Sequence, residues 1–147
     1  RLMVWDVAQN RMCLNLPSGG YAGRAAFSPD GLRLATLGEE GLLWTVGQWT
    51  NAAATLFASG ETGLGDGVFS ADSRWLAVVA NLREIHLFDA ASARRVALFQ
   101  ARETPGIQAL AFSPDGRWLV ALCKEGWLQR WDLDGLRREL AALKLEW

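Results

Sequence analysis

A short motif returns along this chain at a fixed interval, and that interval limits the folds available to it. Phe-Ser-Pro-Asp-Gly occupies 27–31, Phe-Ser-Ala-Asp-Ser 69–73, and Phe-Ser-Pro-Asp-Gly again 112–116, so Phe27, Phe69 and Phe112 lie 42 and 43 residues apart. A second marker keeps step: Trp5-Asp6, Trp44-Thr45, Phe88-Asp89 and Trp131-Asp132 are spaced by 39, 44 and 43 residues. Two markers in constant phase define a repeat protein, whose unit is one piece of supersecondary structure that needs its neighbours to bury its apolar side.

The unit reads as β-structure. Ser-Pro-Asp-Gly suits a type I turn, with Pro fixing φ at its second position and Gly closing it. The second copy, Ser70 to Ser73, keeps Ser and Asp but lacks Pro and Gly, so its turn is expected to form at lower stability. Before each turn stands an apolar segment ("AGRAAF", "DGVF", "IQALAF"), and after it a strand-forming run ("LRLATL", "RWLAVVA", "RWLVALC"). A polar turn then leads to a third run ("GLLWTV", "EIHLFDA", "WLQRWDL"), and a fourth follows in "AAATLFAS" and "RRVALFQA". Apolar runs of four to eight residues between turn signals are strands rather than helices. Each period is therefore a four-stranded antiparallel meander. Counted this way the chain holds thirteen strands: a third and fourth strand at 2–16, two full meanders at 21–100, and three strands at 107–133. "RWLVALC" is apolar on both faces and calls for a sheet on either side, the logic of blades stacked radially.

Period, strand grammar, "FSPDG" between first and second strands and Trp-Asp closing the third together resemble the WD40-repeat family of β-propellers over residues 1–133. The units would be 1–18 (partial), 19–59, 60–101 and 102–133. Phe27, Asp30, Trp44, Phe69, Asp72, Phe88, Asp89, Phe112, Asp115, Trp131 and Asp132 would be its structural markers. The family's Gly-His pair is absent: its positions hold Pro17-Ser18, Ser59-Gly60 and Arg102-Glu103. The Asp expected before the third strand is replaced by Glu40 or Glu125, or by Leu82-Arg83 in the second full unit. Its usual His-Asp network is therefore not available, and aromatic packing must carry more of the stability. Periplasmic TolB-like propellers share Ser-Pro-Asp-Gly, but the Trp-Asp endings favour WD40.

The resemblance implies a C-terminal part of a longer, seven-bladed propeller of bacterial type, or a ring closed by a second copy of the chain, since four to eight blades are needed for closure. The opening residues "RLMVWDV" read as a strand already under way, so the chain is expected to begin mid-domain. The resemblance also implies a non-catalytic scaffold in the cytoplasm that binds other proteins through its loops. Those loops carry Glu39, Glu40, Asn81, Arg83, Arg102, Glu103, Lys124 and Glu125. The alternative from another class is a propeller hydrolase or lactonase acting in a central channel, for which the first strands offer only Arg24, Asp66 and Gln108.

Composition narrows the field further. Half of the 147 residues are hydrophobic, and 15 basic and 16 acidic residues are interspersed for a formal net charge of -1 and a pI near 5.8. No basic patch points to nucleic acid or an anionic membrane, and no apolar run reaches the 18 or so residues of a membrane span. Cys13 and Cys123 are far apart in apolar runs and are expected to be buried small hydrophobes. The single His86 lies mid-strand with no second ligand nearby, so neither a metal nor a cofactor is expected. The glycines of "GETGLGDG" (60–67) precede a strand and not a helix, which suits a connection between units and not a phosphate loop. The repeated Ser and Asp residues are turn formers, with no base beside them. From 134 to 147 the grammar changes: Leu136, Leu140 and Leu143 fall at i, i+4 and i+7, the pattern of an amphipathic helix covering an edge of the sheets, with Asp134 placed as N-cap.

Overall fold

The computed structural model describes residues 2–16, 22–58, 66–101 and 106–143. Four antiparallel sheets follow one another along the chain. The first pairs β1 (Leu2–Asp6) with β2 (Arg11–Leu16), and the second holds β3 (Ala22–Phe27), β4 (Arg33–Gly38), β5 (Gly41–Thr45) and β6 (Ala54–Phe57). The third contains β7 (Gly67–Phe69), β8 (Trp75–Val79), β9 (Glu84–Asp89) and β10 (Arg95–Gln100). The fourth contains β11 (Ile107–Phe112), β12 (Trp118–Cys123) and β13 (Leu128–Asp132), and a helix, α1 (Leu133–Ala142), ends the described chain. Within each sheet every strand pairs with its neighbours in sequence, so the described residues form an all-β fold of blade-like meanders with one short helix. The thirteen strands among the described residues fall where the repeat predicts them.

The turn after each first strand has one construction. Gly31, Ser73 and Gly116 donate their N–H to the carbonyls of Ser28, Ser70 and Ser113, each at 2.9 Å, closing a four-residue turn. The Ser hydroxyl accepts the N–H of Arg33, Trp75 or Trp118 at 2.9 Å and donates to Asp30, Asp72 or Asp115. Ser73 takes the left-handed backbone that Gly supplies elsewhere, at φ 62°. Its hydroxyl also acts outside its own turn, accepting the N–H of Asp30, 43 residues away, at 3.0 Å. Ala71 fills the place of Pro29 and Pro114 in the same closed turn and is exposed. Ala71→Pro is therefore expected to stabilise the protein by about 0.5–1 kcal/mol through loss of unfolded-state entropy; a rise in the urea midpoint at unchanged slope would show it.

Side-chain alternation sorts the core into layers. Ala35, Leu37, Leu43 and Phe57 of the second sheet meet Phe69, Leu76, Val78 and Phe88 of the third. Trp75, Ala77, Val79, Ile85 and Leu87 face the other way, toward Ile107, Leu119, Ala121, Cys123 and Leu133 of the α1 side. All five residues of β8 are buried, which is why that strand shows no polar alternation. The first strands β3, β7 and β11 lie side by side, so the sheets are stacked on their inner edges.

Register explains what the aromatic markers do. Phe69 and Phe88 flank Leu76 and face the second sheet, Trp44 stands opposite Leu34 and packs with Val4 of the first sheet, and Trp131 stands opposite Leu119 and packs toward the third. Each unit thus sets its markers against the unit before it. Phe27 stands opposite Leu34 on the face toward the first sheet, yet it is exposed, because the two strands of that sheet among the described residues place none opposite β3. Phe112 is half-buried in its own layer.

Three expectations need correcting. "RWLVALC" is covered on one face only: Leu119, Ala121 and Cys123 are buried, whereas Leu122 is exposed and Trp118 and Val120 are half-buried, because among the described residues no further sheet packs on that face. Cys13 is half-buried and not part of the core, since β2 is an outer strand; Cys123 is buried, and both are free thiols. The helix cap is Asp132, not Asp134. Asp132 Oδ1 accepts the N–H of Gly135 at 2.9 Å, so α1 begins at Leu133. The reason lies in the repeat. Asp6 accepts the N–H of Gln9, and Asp89 that of Ser92, so the Asp ending a third strand binds the amide three residues on. In the last unit the same bond starts a helix instead of a hairpin.

Candidate functional surfaces

The expected partner loops lie at one end of the strands. Glu39 and Glu40 form the exposed β4–β5 turn, and Asn81 and Arg83 belong to the β8–β9 turn. Lys124 and Glu125 fall in a single 3-10 turn, Lys124–Gly126, between β12 and β13. Arg102 and Glu103 lie outside the described residues. Main-chain bonds join the last two turns: Leu82 O accepts the N–H of Gly106 at 2.9 Å, and Gly106 O accepts that of Lys124 at 2.9 Å. Gly106 has φ +116°, and a Cβ there would meet the Lys124 stem at 2.7 Å, so the aliphatic part of Lys124 lies on this glycine. Arg83 and Lys124 therefore share one exposed strip, with Glu39 and Glu40 a sheet away.

Asn81 plays a different part. Its Oδ1 accepts the N–H groups of Arg83 and Glu84 at 2.9 and 3.0 Å, and its Nδ2 donates to Glu84 Oε2 at 2.8 Å. The side chain is spent in forming its turn. Glu84 also stands 3.9 Å from Nε2 of the buried His86, whose ring meets Phe88 edge-on. His86 is thus a buried polar residue facing the second sheet. Among the described residues no group of three or more His, Cys, Asp or Glu could hold a metal ion, and no helix is long and apolar enough to cross a membrane.

On the inner edge the structure brings Arg24 and Asp66 together. Arg24 Nη1 lies 3.2 Å from Asp66 Oδ1, while Asp66 Oδ2 accepts the N–H of Leu110 at 2.8 Å. This carboxylate ties the first strands of three sheets to one another. Gln108 is exposed and takes no part in the tie.

The opposite end of the strands holds a cluster that sequence reasoning passed over. Arg74 and Arg137 lie over the Trp75 ring at 4.7 and 5.0 Å, and Arg117 and Arg130 lie over Trp118 at 4.8 and 4.5 Å. Guanidinium–indole stacking of this kind fixes arginines that would otherwise be mobile. Its sequence signal is Arg-Trp immediately after the Ser-Pro-Asp-Gly turn, at 74–75 and 117–118. Asp132 lies 3.3 Å from Arg117 Nη2. The Gly135 N–H, and after it Arg117, hold the Asp132 carboxyl below its usual range, and Asp132 in turn keeps Arg117 charged. The turn aspartates are lowered too. Ser28 and Ser113 do this to Asp30 and Asp115; at Asp72 burial works the other way and is outweighed by Ser70 and the Arg74 N–H. No protein-family model and no curated protein matches the chain.

Proposed function

We propose that this chain is a run of blades from a larger WD40-type β-propeller of bacterial origin, acting in the cytoplasm as a non-catalytic platform that binds other proteins, as the regulatory part of a multidomain signalling protein. The state of the two terminal faces supports this. Trp5 occupies the marker position that in later units packs on the preceding sheet; here it is 52% exposed, with Met3 and Met12 exposed beside it. At the other end Leu122 and Leu128 stand paired and exposed, and Trp127 is 66% exposed next to them. Two faces of this kind suit a run of stacked sheets that continues in both directions, into further blades or a second copy. The charged strip with Arg83 and Lys124 then offers a surface that the stacking leaves open.

Sedimentation equilibrium tests the first half: association of the 16.1 kDa chain is expected, and a stable, monodisperse monomer would overturn it. For the second half, the protein carrying Arg83→Glu and Lys124→Glu is expected to lose a binding partner that the unaltered protein retains in pull-down. Retention of every partner by that variant would count against this strip as the docking surface.

A further inference from the structure

We propose that the open edge of β13 is a docking site for an extended segment of a partner protein, which adds there as a fourth antiparallel strand with a large apolar residue opposite Leu128 and a carboxylate opposite Arg130. This rests on the reading of the chain as a binding platform, and it names a surface distinct from the strip with Arg83 and Lys124. In the second and third sheets the third strand is paired on both sides, β5 by β4 and β6 and β9 by β8 and β10. Among the described residues β13 has one partner, β12. The cause lies in the helix. After β9 the Asp89 N–H donates to Arg94 O at 2.9 Å, the chain turns back, and β10 follows. After Asp132 the chain instead enters α1, whose Leu133 and Leu136 pack in the layer between the third and fourth sheets and whose Arg137 lies over Trp75. The Cys123 N–H donates to Trp127 O, and the Leu133 N–H to Arg117 O, both on the β12 side, and the register between them is regular. Alternation therefore turns the N–H and C=O groups of Leu128, Arg130 and Asp132 toward the open edge. Main-chain groups placed in this way take up an extended chain.

The side chains along this edge specify what the added strand carries. Ile85 and Leu87 lie 43 residues before Leu128 and Arg130 and hold the same places in the third sheet. There Phe99 stands opposite Ile85 and Ala97 opposite Leu87; in the second sheet Phe57 stands opposite Gly41 and Ala54 opposite Leu43. Phe57 and Phe99 are buried, whereas Leu128 is exposed, with Trp127 exposed beside it. A large apolar residue opposite Leu128 reproduces the cover that the phenylalanines give. Arg130 departs from the repeat, for it replaces the buried Leu43 and Leu87. Its guanidinium lies over Trp118 at 4.5 Å and pairs with no carboxylate of the described residues. A stacked guanidinium keeps its N–H edge available for a carboxylate. An acid in the place of Ala97 is its complement, because opposite charges directly across a strand pair attract. A second copy of the chain fits poorly: pairing β13 with itself in the register of longest overlap sets Arg130 against Arg130, and like charges so placed repel.

The test is a fluorescence-anisotropy titration of the whole chain against labelled peptides with the fourth-strand sequence Arg94–Ala101, one unaltered, one with Ala97→Glu and one with Ala97→Lys. Saturable binding is expected, with the Ala97→Glu peptide about two- to fivefold tighter than the unaltered one, the range of a cross-strand charge pair, and the Ala97→Lys peptide weakest. Arg130→Glu in the protein is expected to reverse that order. Arg130 is exposed, so this variant keeps the fold, which circular dichroism verifies. Amide exchange locates the peptide: the N–H groups of Leu128, Arg130 and Asp132 are expected to slow on binding, with that of Trp131 unchanged. Absence of saturable binding, or the same order of peptides on both proteins, would overturn the proposal. So would slow, concentration-dependent exchange at Arg130 in the chain alone, which gives the edge to a second copy. None of these results bears on the strip with Arg83 and Lys124, which the Arg83→Glu and Lys124→Glu protein reads separately.

Discussion

Trp44→Ala is expected to lower the unfolding free energy by about 3–5 kcal/mol, the usual cost of deleting a large buried aromatic side chain. That is a large part of the roughly 5–15 kcal/mol holding a domain together. Trp44 is 2% exposed and packs with Leu34, Val4, Leu42, Trp49 and Ala52 between the first and second sheets, so its removal opens a cavity where β1 is held. Its indole N–H also donates to Thr36 Oγ1 at 3.0 Å inside this layer. Thr36→Val leaves that N–H buried without its acceptor and is expected to cost about 1–3 kcal/mol. Trp44→Phe leaves the Thr36 hydroxyl in the same position, so a cycle of the two substitutions isolates the bond. The sharpest comparison is Trp5→Ala. Trp5 occupies the same place in the repeat, but it is exposed, and its loss is expected to change stability by no more than about 0.5 kcal/mol in the isolated chain. Urea unfolding curves of the pair decide the matter. Equal costs would mean that the markers do not each pack on the unit before them.

That contrast separates what could be read in the chain from what could not. The strands, their number and the turns were legible because Phe-Ser-x-Asp and the aromatic pair repeat in phase, and a four-stranded meander is what such a unit can form. Which way each marker faces was not legible. Strands such as β8 are apolar on both sides, so alternation carries no sign of direction, and only the register of Phe69 and Phe88 with Leu76 supplies it. The Asp132 cap had a signal in the repeat, since Asp6 and Asp89 likewise bind the amide three residues on, whereas Asp134 is the acidic residue nearer the leucine-spaced stretch. The arginine cluster was half visible. Arg74-Trp75 and Arg117-Trp118 recur in step, but Arg137 reaches Trp75 from a helix 62 residues further on, a placement set by the burial of Leu133 and Leu136. Of the partner loops, position along the strands was legible, whereas the use of Asn81 inside its own turn depended on bonds that only coordinates supply.

Asp66 is the residue whose weight the sequence hid most completely, because it stands beside a glycine run and its main partner is an amide 44 residues away. Asp66→Ala is expected to cost about 2–3 kcal/mol. The carboxylate is only 13% exposed, and a hydrogen bond to a charged group is worth about 1.5–3 kcal/mol with the donor left unpaired afterwards. Two further features set the size of the effect. The Asp66 carbonyl accepts the N–H of Val79 at 2.9 Å, so the main chain is already fixed to β8, and the side chain adds the bond across to β11. Arg24, by contrast, is 59% exposed, and a pair with one partner in solvent contributes at most about 1 kcal/mol. Arg24→Ala should therefore be much milder than Asp66→Ala, and Asp66→Asn, which keeps an acceptor but loses the charge, should fall between them. Amide exchange supplies the local readout: in Asp66→Ala the Leu110 N–H is expected to exchange faster than its neighbours in β11. If Asp66→Ala cost no more than Arg24→Ala, the bond to Leu110 would not be what holds the inner edges of the third and fourth sheets together, and the hydrophobic layer between them would have to do so unaided.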